Sequence, residues 1–360
     1  MALRSKNGKC RRTAILVPLL GFYFVLEFFM YFALPLSWEQ LTCPATSRCT
    51  RFLLVADPQI LGRIDEPSWV TIWDNDRYLH RTFTSAMSFS DPDAVLFLGD
   101  LMDEGSRADD FEFQSYVDRF FSIFPLDSTH KVFFLPGDND IGGENGDPIL
   151  PSTVDRFRHI FHKSSELVVN RCRVLKVNPV LEPIFHQSSK KVKNDKFIRI
   201  AVSHFPLLGQ STSFTEKMLN DIKPHVIFSA HSHLSRLRGS TRSTASPLTR
   251  SLGPVLLGNR TQTGQDFYDD DWMNVAEVNE IEVPTCSYRM GVANMGYGYA
   301  LFDETKQEFQ YVVLWLPKRL HHLKLYLAVP VIICLLILGW WCWVAYCRPH
   351  HNYSVLHQHA

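Results

Sequence analysis

The sequence predicts an α/β fold, and three observations carry that prediction. Short apolar runs of strand length alternate with longer stretches of helical periodicity. Each of those runs stops at an aspartate or a histidine. The longest apolar runs of the 360-residue chain sit at its two ends, which leaves one central soluble region, about residues 50 to 317, for the alternating pattern.

The first strand is expected over 52–56 (FLLVA), ended by Asp57 and Pro58. Residues 77–89 read as helix, with Phe83 and Met87 one turn apart. A second strand, 94–98, ends in Gly99 and Asp100. Over 109–124, Phe113, Val117, Phe120, Phe121 and Phe124 recur at helix spacing, a pattern that predicts core packing rather than a ligand box. The third strand, 132–135, ends in Pro136, Gly137 and Asp138. After a weakly patterned stretch, strands are expected over 197–202, ended by Ser203 and His204, and over 225–229, ended by Ala230, His231, Ser232 and His233. Residues 236–275 are rich in Ser, Thr and Gly, first basic and then acidic, and predict a long surface loop. Residues 297–315 read as strand again.

The terminal runs, 13–36 and 325–346, are each long enough to cross a hydrocarbon core of roughly 30 Å. The first exceeds the apolar core of a signal peptide and is read as a retained anchor. Glu27 in its middle is costly in lipid and is expected to be protonated or helix-facing rather than part of a relay. The organisation that follows is a cytosolic N-terminus (1–12), a span (13–36), a lumenal domain with juxtamembrane segments (37–324), a second span (325–346) and a cytosolic tail (347–360). Orientation rests on Arg4, Lys6, Lys9, Arg11 and Arg12 before the first span. Lys318, Arg319 and Lys324 before the second span argue the other way. Asn259, in the sequon Asn259-Arg260-Thr261, is the expected glycosylation site and favours a lumenal domain. The basic patch from Lys318 to Lys324 reads as an interfacial anchor.

Net charge is zero, which gives no reason to expect a nucleic-acid partner. Of eight cysteines, Cys43 and Cys49 are close enough to bridge, though spacing does not fix the pairing. There is no CxxC, no P-loop, no GxGxxG and no nucleophile elbow.

What remains is the set of strand-end residues. Singly, each has an ordinary explanation as a turn or cap residue. Jointly, carboxylates and imidazoles at the carboxyl ends of several strands of one α/β fold are placed to share a site. Mixed Asp and His donors suit first-row divalent ions, and two such ions 3.5–4 Å apart need a bridging carboxylate.

The blocks FLLVADPQILG, VLFLGDLMDEG, FFLPGDNDIG, VSHFPL and SAHSHLS, in this order, resemble the five blocks of the calcineurin-like metallophosphoesterases; CSYRM at 286–290 extends the likeness. GDLMDEG, the continuation DIG and the two flanking spans are most similar to the secretory-pathway members that remove an ethanolamine-phosphate side branch from GPI-anchor glycans. The resemblance implies a four-layer α/β/β/α sandwich with metals at the strand ends. It implies that Asp57 and His233 hold one ion, that Asp138, His204 and His231 hold the other, and that Asp100 bridges them.

Two positions depart from the family pattern. Gln59 stands in a histidine slot and offers at most a weak amide ligand. Asp138 and Asn139 stand where the family has Asn-His. Asn139 thus occupies the catalytic histidine slot, with Asp140 and Glu144 beside it as candidate proton donors; in the alternative registration Asn139 is the ligand. A carboxylate gained and an imidazole lost favour a harder ion, so manganese is the expected cofactor. The function expected is a membrane-anchored bimetal phosphodiesterase acting on GPI-anchored proteins or another membrane-bound phosphodiester at ER exit sites, the ER–Golgi intermediate compartment and the Golgi. The alternative is a catalytically weakened receptor or escort for phosphorylated glycan or cargo. The tail HQHA lacks a dilysine signal, whereas 353–356 matches a tyrosine-based sorting pattern.

Overall fold

The computed structural model describes residues 17–127, 130–143, 147–161, 164–179, 197–209, 212–239, 246–248, 252–256 and 279–346. Asn259, Glu144, the basic N-terminal cluster and the tail motif lie outside the described residues. The chain divides into Glu27–Lys318 and a second unit that holds the two ends.

Two mixed sheets form the body of the larger unit. The first runs β10-β13-β12-β1-β2-β3. Its parallel part is β1 (Cys49–Val55), β2 (Ala94–Phe97) and β3 (Lys131–Phe134), and its antiparallel part is β12 (Gly296–Asp303), β13 (Glu308–Trp315) and β10 (Leu252–Leu256). The second runs β4-β5-β6-β7-β11-β8-β9. There β5 (Cys172–Lys176), β6 (Ile198–Val202), β7 (Val226–Ser229) and β11 (Asn279–Glu282) are parallel, while β4 (Glu166–Val169), β8 (Arg236–Gly239) and β9 (Ser246–Pro247) pair antiparallel at the margins.

The period-2 geometry of a strand decides what each residue packs against. In β1, Phe52 and Leu54 join a core shared with β5, β6 and β7 of the other sheet. Leu53 and Val55 face instead a core built from helices α1 (Trp69–Ser90), α2 (Asp110–Ile123) and, beyond the one-turn helix α3 (Asp138–Ile141), α4 (Pro151–Phe161). A third, smaller core places Ala201 and Ile227 against Leu219 and Ile222 of α5 (Ser213–Ile222). Phe113, Val117, Phe120 and Phe124 are buried in the helix-side core, the packing role their spacing implies; Phe121 is exposed. Alternate burial on both faces explains why these strands read as continuous apolar runs rather than as an alternating pattern.

Several elements differ from the sequence reading. Helix α1 begins eight residues before the expected 77, because Ser68 caps it by accepting the Thr71 N–H (3.4 Å). The weakly patterned stretch holds α4, β4 and β5. The expected loop 236–275 contains β8, β9 and β10, so its described parts are sheet margins; a polar edge strand and a polar loop have similar composition. Cys43 and Cys49 form a disulfide, while Cys172 and Cys286 are buried free thiols.

Two helices, Val17–Ser37 and Arg319–Val344, are long and apolar enough to cross a membrane. The first passes through a π-helical turn, Val25–Phe29, and ends in a 3-10 turn, Leu34–Ser37. The second begins six residues before the expected 325, so Arg319 and His322 of the basic patch fall in its first turns, where both are buried. Glu27 is buried and faces helix α1, where its carboxylate has two guanidinium partners, Arg77 and Arg81, so of the two expected states the helix-facing one is found.

Candidate metal centre

Because β1, β2 and β3 are parallel to one another, as are β6 and β7, their carboxyl ends emerge at one edge of each sheet. Backbone bonds tie the emerging loops together. The Gln59 N–H donates to the Asp100 carbonyl (2.9 Å), Ile60 to Leu101 (3.1 Å), and Ala230 to the His204 carbonyl (3.0 Å). Backbone strain gathers at the same edge. Of nine non-glycine residues with positive φ among the described residues, five are Asp57, Gln59, Asp100, His231 and His233. Such conformations cost of order 1–3 kcal/mol each and persist where the surroundings over-determine them.

Two donor groups converge here. Asp100, Asp138, His204 and His231 each present one ligand atom within 4.8 Å of the others, and Asp57, Asp100 and His233 do the same; Asp100 is common to both. Asp57, Asp100, Asp138 and His204 are buried. The His204 ring donates from Nδ1 to the Leu98 carbonyl (2.9 Å), which turns Nε2 towards Asp138 (3.0 Å) and Asp100 (3.5 Å). Fixing one ring nitrogen to leave the other as a donor is the usual preparation of a histidine ligand. His231 stands with Nδ1 at 3.4 Å from Asp138 and packs on Phe205.

The electrostatics describe a pocket short of positive charge. Burial, against the pull of His204 and reinforced by Asp100, pushes the Asp57 carboxyl up to about 7. Asp100 is also raised, by burial and by Asp138. Burial opposes the charge on His204, yet Asp100, Asp138 and Asp57 together raise it to about 10. Asp138 is held below the usual carboxylate range, because hydrogen bonds and charge from His204 and His231 outweigh its own burial. Burial and the two neighbouring imidazoles depress His233 to about 4. One oxygen of Asp57, Oδ2, is buried with no hydrogen-bond partner. A buried imidazole facing three carboxylates and an orphaned carboxylate oxygen are what a pair of cations would resolve. The residues present therefore fit two divalent ions, and the donor set of carboxylates and imidazoles matches first-row metals.

The departures from the family pattern acquire definite geometry. Gln59 turns its amide nitrogen to Asp100 Oδ2 (2.9 Å) and lies 3.5 Å from His233 Nε2. In this arrangement its amide N–H donates to the shared carboxylate. Asn139 makes two bonds to the same group, from its backbone N–H to Oδ1 (3.0 Å) and from Nδ2 to Oδ2 (3.2 Å). Asp140, considered from sequence as a proton donor, is fully buried and accepts the N–H groups of Gly137 (2.9 Å), Leu101 (3.1 Å) and Met102 (3.0 Å). It locks the turn after β3 to the turn after β2. Burial and Asp100 push it up to about 8.

Sequence reasoning passed over several supports. Thr285 donates its hydroxyl to the Asp57 carbonyl (2.7 Å), and the Cys286 N–H bonds to Ala56 (3.1 Å), so the segment containing Cys286–Met290 backs the first donor group. Glu280 on β11 accepts the N–H groups of Leu207 (2.6 Å) and Leu208 (2.8 Å), holding the loop that follows His204. A signal for Glu280 was available in NEIE, a short polar run followed by apolar Val283, but nothing in it distinguishes a buried strand from a loop.

Two mixed sheets with a shared Asp/His cluster at their strand ends define a metallophosphoesterase. A model of the calcineurin-like phosphoesterases matches residues 50–235, and the chain belongs to that family. It is 26% identical over 212 residues to a metallophosphoesterase 1 homolog of Caenorhabditis elegans, covering 54% of this chain and 57% of that one. It is 27% identical over 279 residues to cell division control protein 1 of Saccharomyces cerevisiae, covering 71% of this chain and 56% of that one. The chain thus spans little more than half the length of these relatives. A solved metallophosphoesterase from Sphaerobacter thermophilus aligns with a TM-score of 0.37 at 12% identity, over 75% of this chain and 90% of that one.

Proposed function

We propose that this chain is a membrane-anchored, two-metal phosphodiesterase of the four-layer metallophosphoesterase type, acting on an ethanolamine-phosphate branch of GPI-anchor glycans or a similar membrane-bound phosphodiester in the early secretory pathway. The observation that carries the chemistry is the sharing of Asp100 between two donor groups. Asp57 and His233 would complete one ion's donors, and Asp138, His204 and His231 the other's. When bound, two such ions supply Lewis-acid charge to phosphoryl oxygens and a water nucleophile at neutral pH. The protein's own part is positional. The Leu98 carbonyl sets the His204 ring, Asp140 holds the turns after β2 and β3 together, and Gln59 and Asn139 orient the shared carboxylate. At the Asn139 position the chain offers an amide N–H, which can bond to an oxygen but cannot protonate a leaving alkoxide.

The substrate class is supported by the likeness to metallophosphoesterase 1 relatives and by the two terminal apolar helices, which suit a lipid-anchored substrate by confining the site near it. The lumenal orientation and manganese preference remain part of this proposal. The test is turnover of bis-aryl phosphodiesters and of isolated GPI glycans by the full chain with Mn²⁺, Zn²⁺ or Mg²⁺ added, alongside metal analysis. Hydrolysis that needs metal and vanishes in Asp100→Asn supports the reading. Equal signal from wild type and variant would favour a non-catalytic receptor. Stoichiometric zinc in the purified protein would overturn the manganese assignment.

A further inference from the structure

The observations that lead away from the metal centre lie on helix α1 and the chain just before the domain. Trp69, Trp73, Arg77 and Arg81 recur every four residues along α1, which makes them successive neighbours on one winding row. The arginine end of this row is engaged: Arg77 and Arg81 reach the buried Glu27 carboxylate, and Arg81 also lies over the rings of Phe28 (5.1 Å) and Tyr31 (5.4 Å). Tyr31, Leu34, Trp38 and Leu41 then enter the helix-side core. The segment from Glu27 to Ser37 is therefore seated on the domain and is no free stalk. Its outward residues are apolar, with Phe32 81% and Leu36 86% exposed.

The tryptophan end of the row has no such cover. Trp69 is 75% and Trp73 53% exposed, with Val70 and Ile64 also exposed beside them in sequence. Arg77 lies 5.3 Å from the Trp73 ring and so links this apolar end to the Glu27 contact. Two exposed indoles, one with an arginine beside its ring, have the composition of a bilayer interface in a chain that carries a candidate span.

We propose that the N-terminal face of α1, centred on Trp69 and Trp73, docks into the interfacial region of the bilayer in which the chain is anchored. The inference rests on the reading of Arg319–Val344 as a membrane span. Its consequence is positional. Trp69 follows Gln59 by ten residues, a stretch of at most about 35 Å when extended. Glu104 ties that stretch down by accepting the N–H groups of Ile64 (2.9 Å) and Asp65 (2.6 Å). Docking through the tryptophans would then set the height of the donor cluster above the membrane and favour phosphodiesters held close to lipid headgroups.

The experiment uses the full chain reconstituted into phosphatidylcholine vesicles, as wild type and as the Trp69→Phe/Trp73→Phe variant. Retention on vesicles after an alkaline wash reads the span; tryptophan fluorescence reads the docking. Subtracting the variant's emission from that of wild type isolates the two indoles. The expected result is that both proteins stay on the vesicles, and that the isolated emission is blue-shifted and loses more than half its intensity when shallow spin-labelled phosphatidylcholine is included. Retained protein whose isolated emission is unquenched overturns the inference while leaving the span intact, whether the indoles prove water-exposed or covered by a second copy. Protein washed off the vesicles overturns the span and the docking together.

Discussion

Replacing Asp100 by Asn tests the sharing of one carboxylate between two ions without reference to any substrate. Asp100 Oδ1 accepts the Asn139 N–H, and Oδ2 accepts Gln59 Nε2 and Asn139 Nδ2. Whichever oxygen becomes an amide NH₂ faces a donor, a cost of about 1–3 kcal/mol. Against this, the substitution removes the charge that raises Asp57 and Asp140, a gain partly offset by the lost attraction to His204. The two effects oppose, so the metal-free variant should melt within a few degrees of wild type. With metal the expectation changes. An ion at one hundred times its dissociation constant stabilises the folded state by about 2.7 kcal/mol, so two ions contribute about 5 kcal/mol. At roughly 2–4 °C per kcal/mol for a large domain, wild type should gain about 10 °C or more. Loss of a ligand common to both ions should weaken each at least 100-fold, since even outer supports cost 10–100-fold. The metal-induced gain should then fall below about 3 °C. Thermal melts with and without Mn²⁺, paired with metal counts per chain, give the answer. A variant that still binds two ions with an undiminished gain would refute the shared-carboxylate arrangement.

Further outcomes follow from the supports of the site. A Cβ on Gly137 would collide with the Asp100 carboxylate and backbone, so Gly137→Ala should abolish binding of both ions while leaving the helical and sheet signature intact; metal analysis beside circular dichroism checks this. Glu280 gives a pH dependence. Burial raises its carboxyl to about 7 from the ordinary 4.5, so the folded state holds a proton that the unfolded chain releases. Stability from this group is present below about pH 4.5 and is lost as pH rises to about 7, an effect of about 3 kcal/mol. Glu280→Gln should flatten the wild-type decline over that window, as denaturant melts at several pH values would reveal; parallel slopes would refute it.

Asp57, Asp100, Asp138, His204, His231 and His233 were legible as candidates because each interrupts an apolar run at its carboxyl end, and parallel α/β strands put those ends together. The terminal apolar helices were legible from length and hydropathy alone. Less visible were the polar strands of the second sheet. Asn279–Glu282 contributes a buried parallel strand although three of its four residues are polar. Glu280 is accommodated by two backbone N–H groups and Glu282 by Arg238 and Arg236. Those partners lie 44 to 73 residues away in the chain for the hydrogen-bonded contacts, beyond the reach of any local pattern.

The sequence by itself determined the alternation of strands and helices, the residue types at the strand ends and the apolar character of the termini, because all of these are local properties of periodicity and composition. Tertiary structure alone decided that Asp140 braces the turns after β2 and β3, that Gln59 and Asn139 turn their amides onto Asp100, and that Glu27 is met by two arginines of α1. Each of those outcomes depends on which distant group a side chain meets once the sheets stack, and orientation of that kind is set by packing and by the requirement that buried polar atoms find partners.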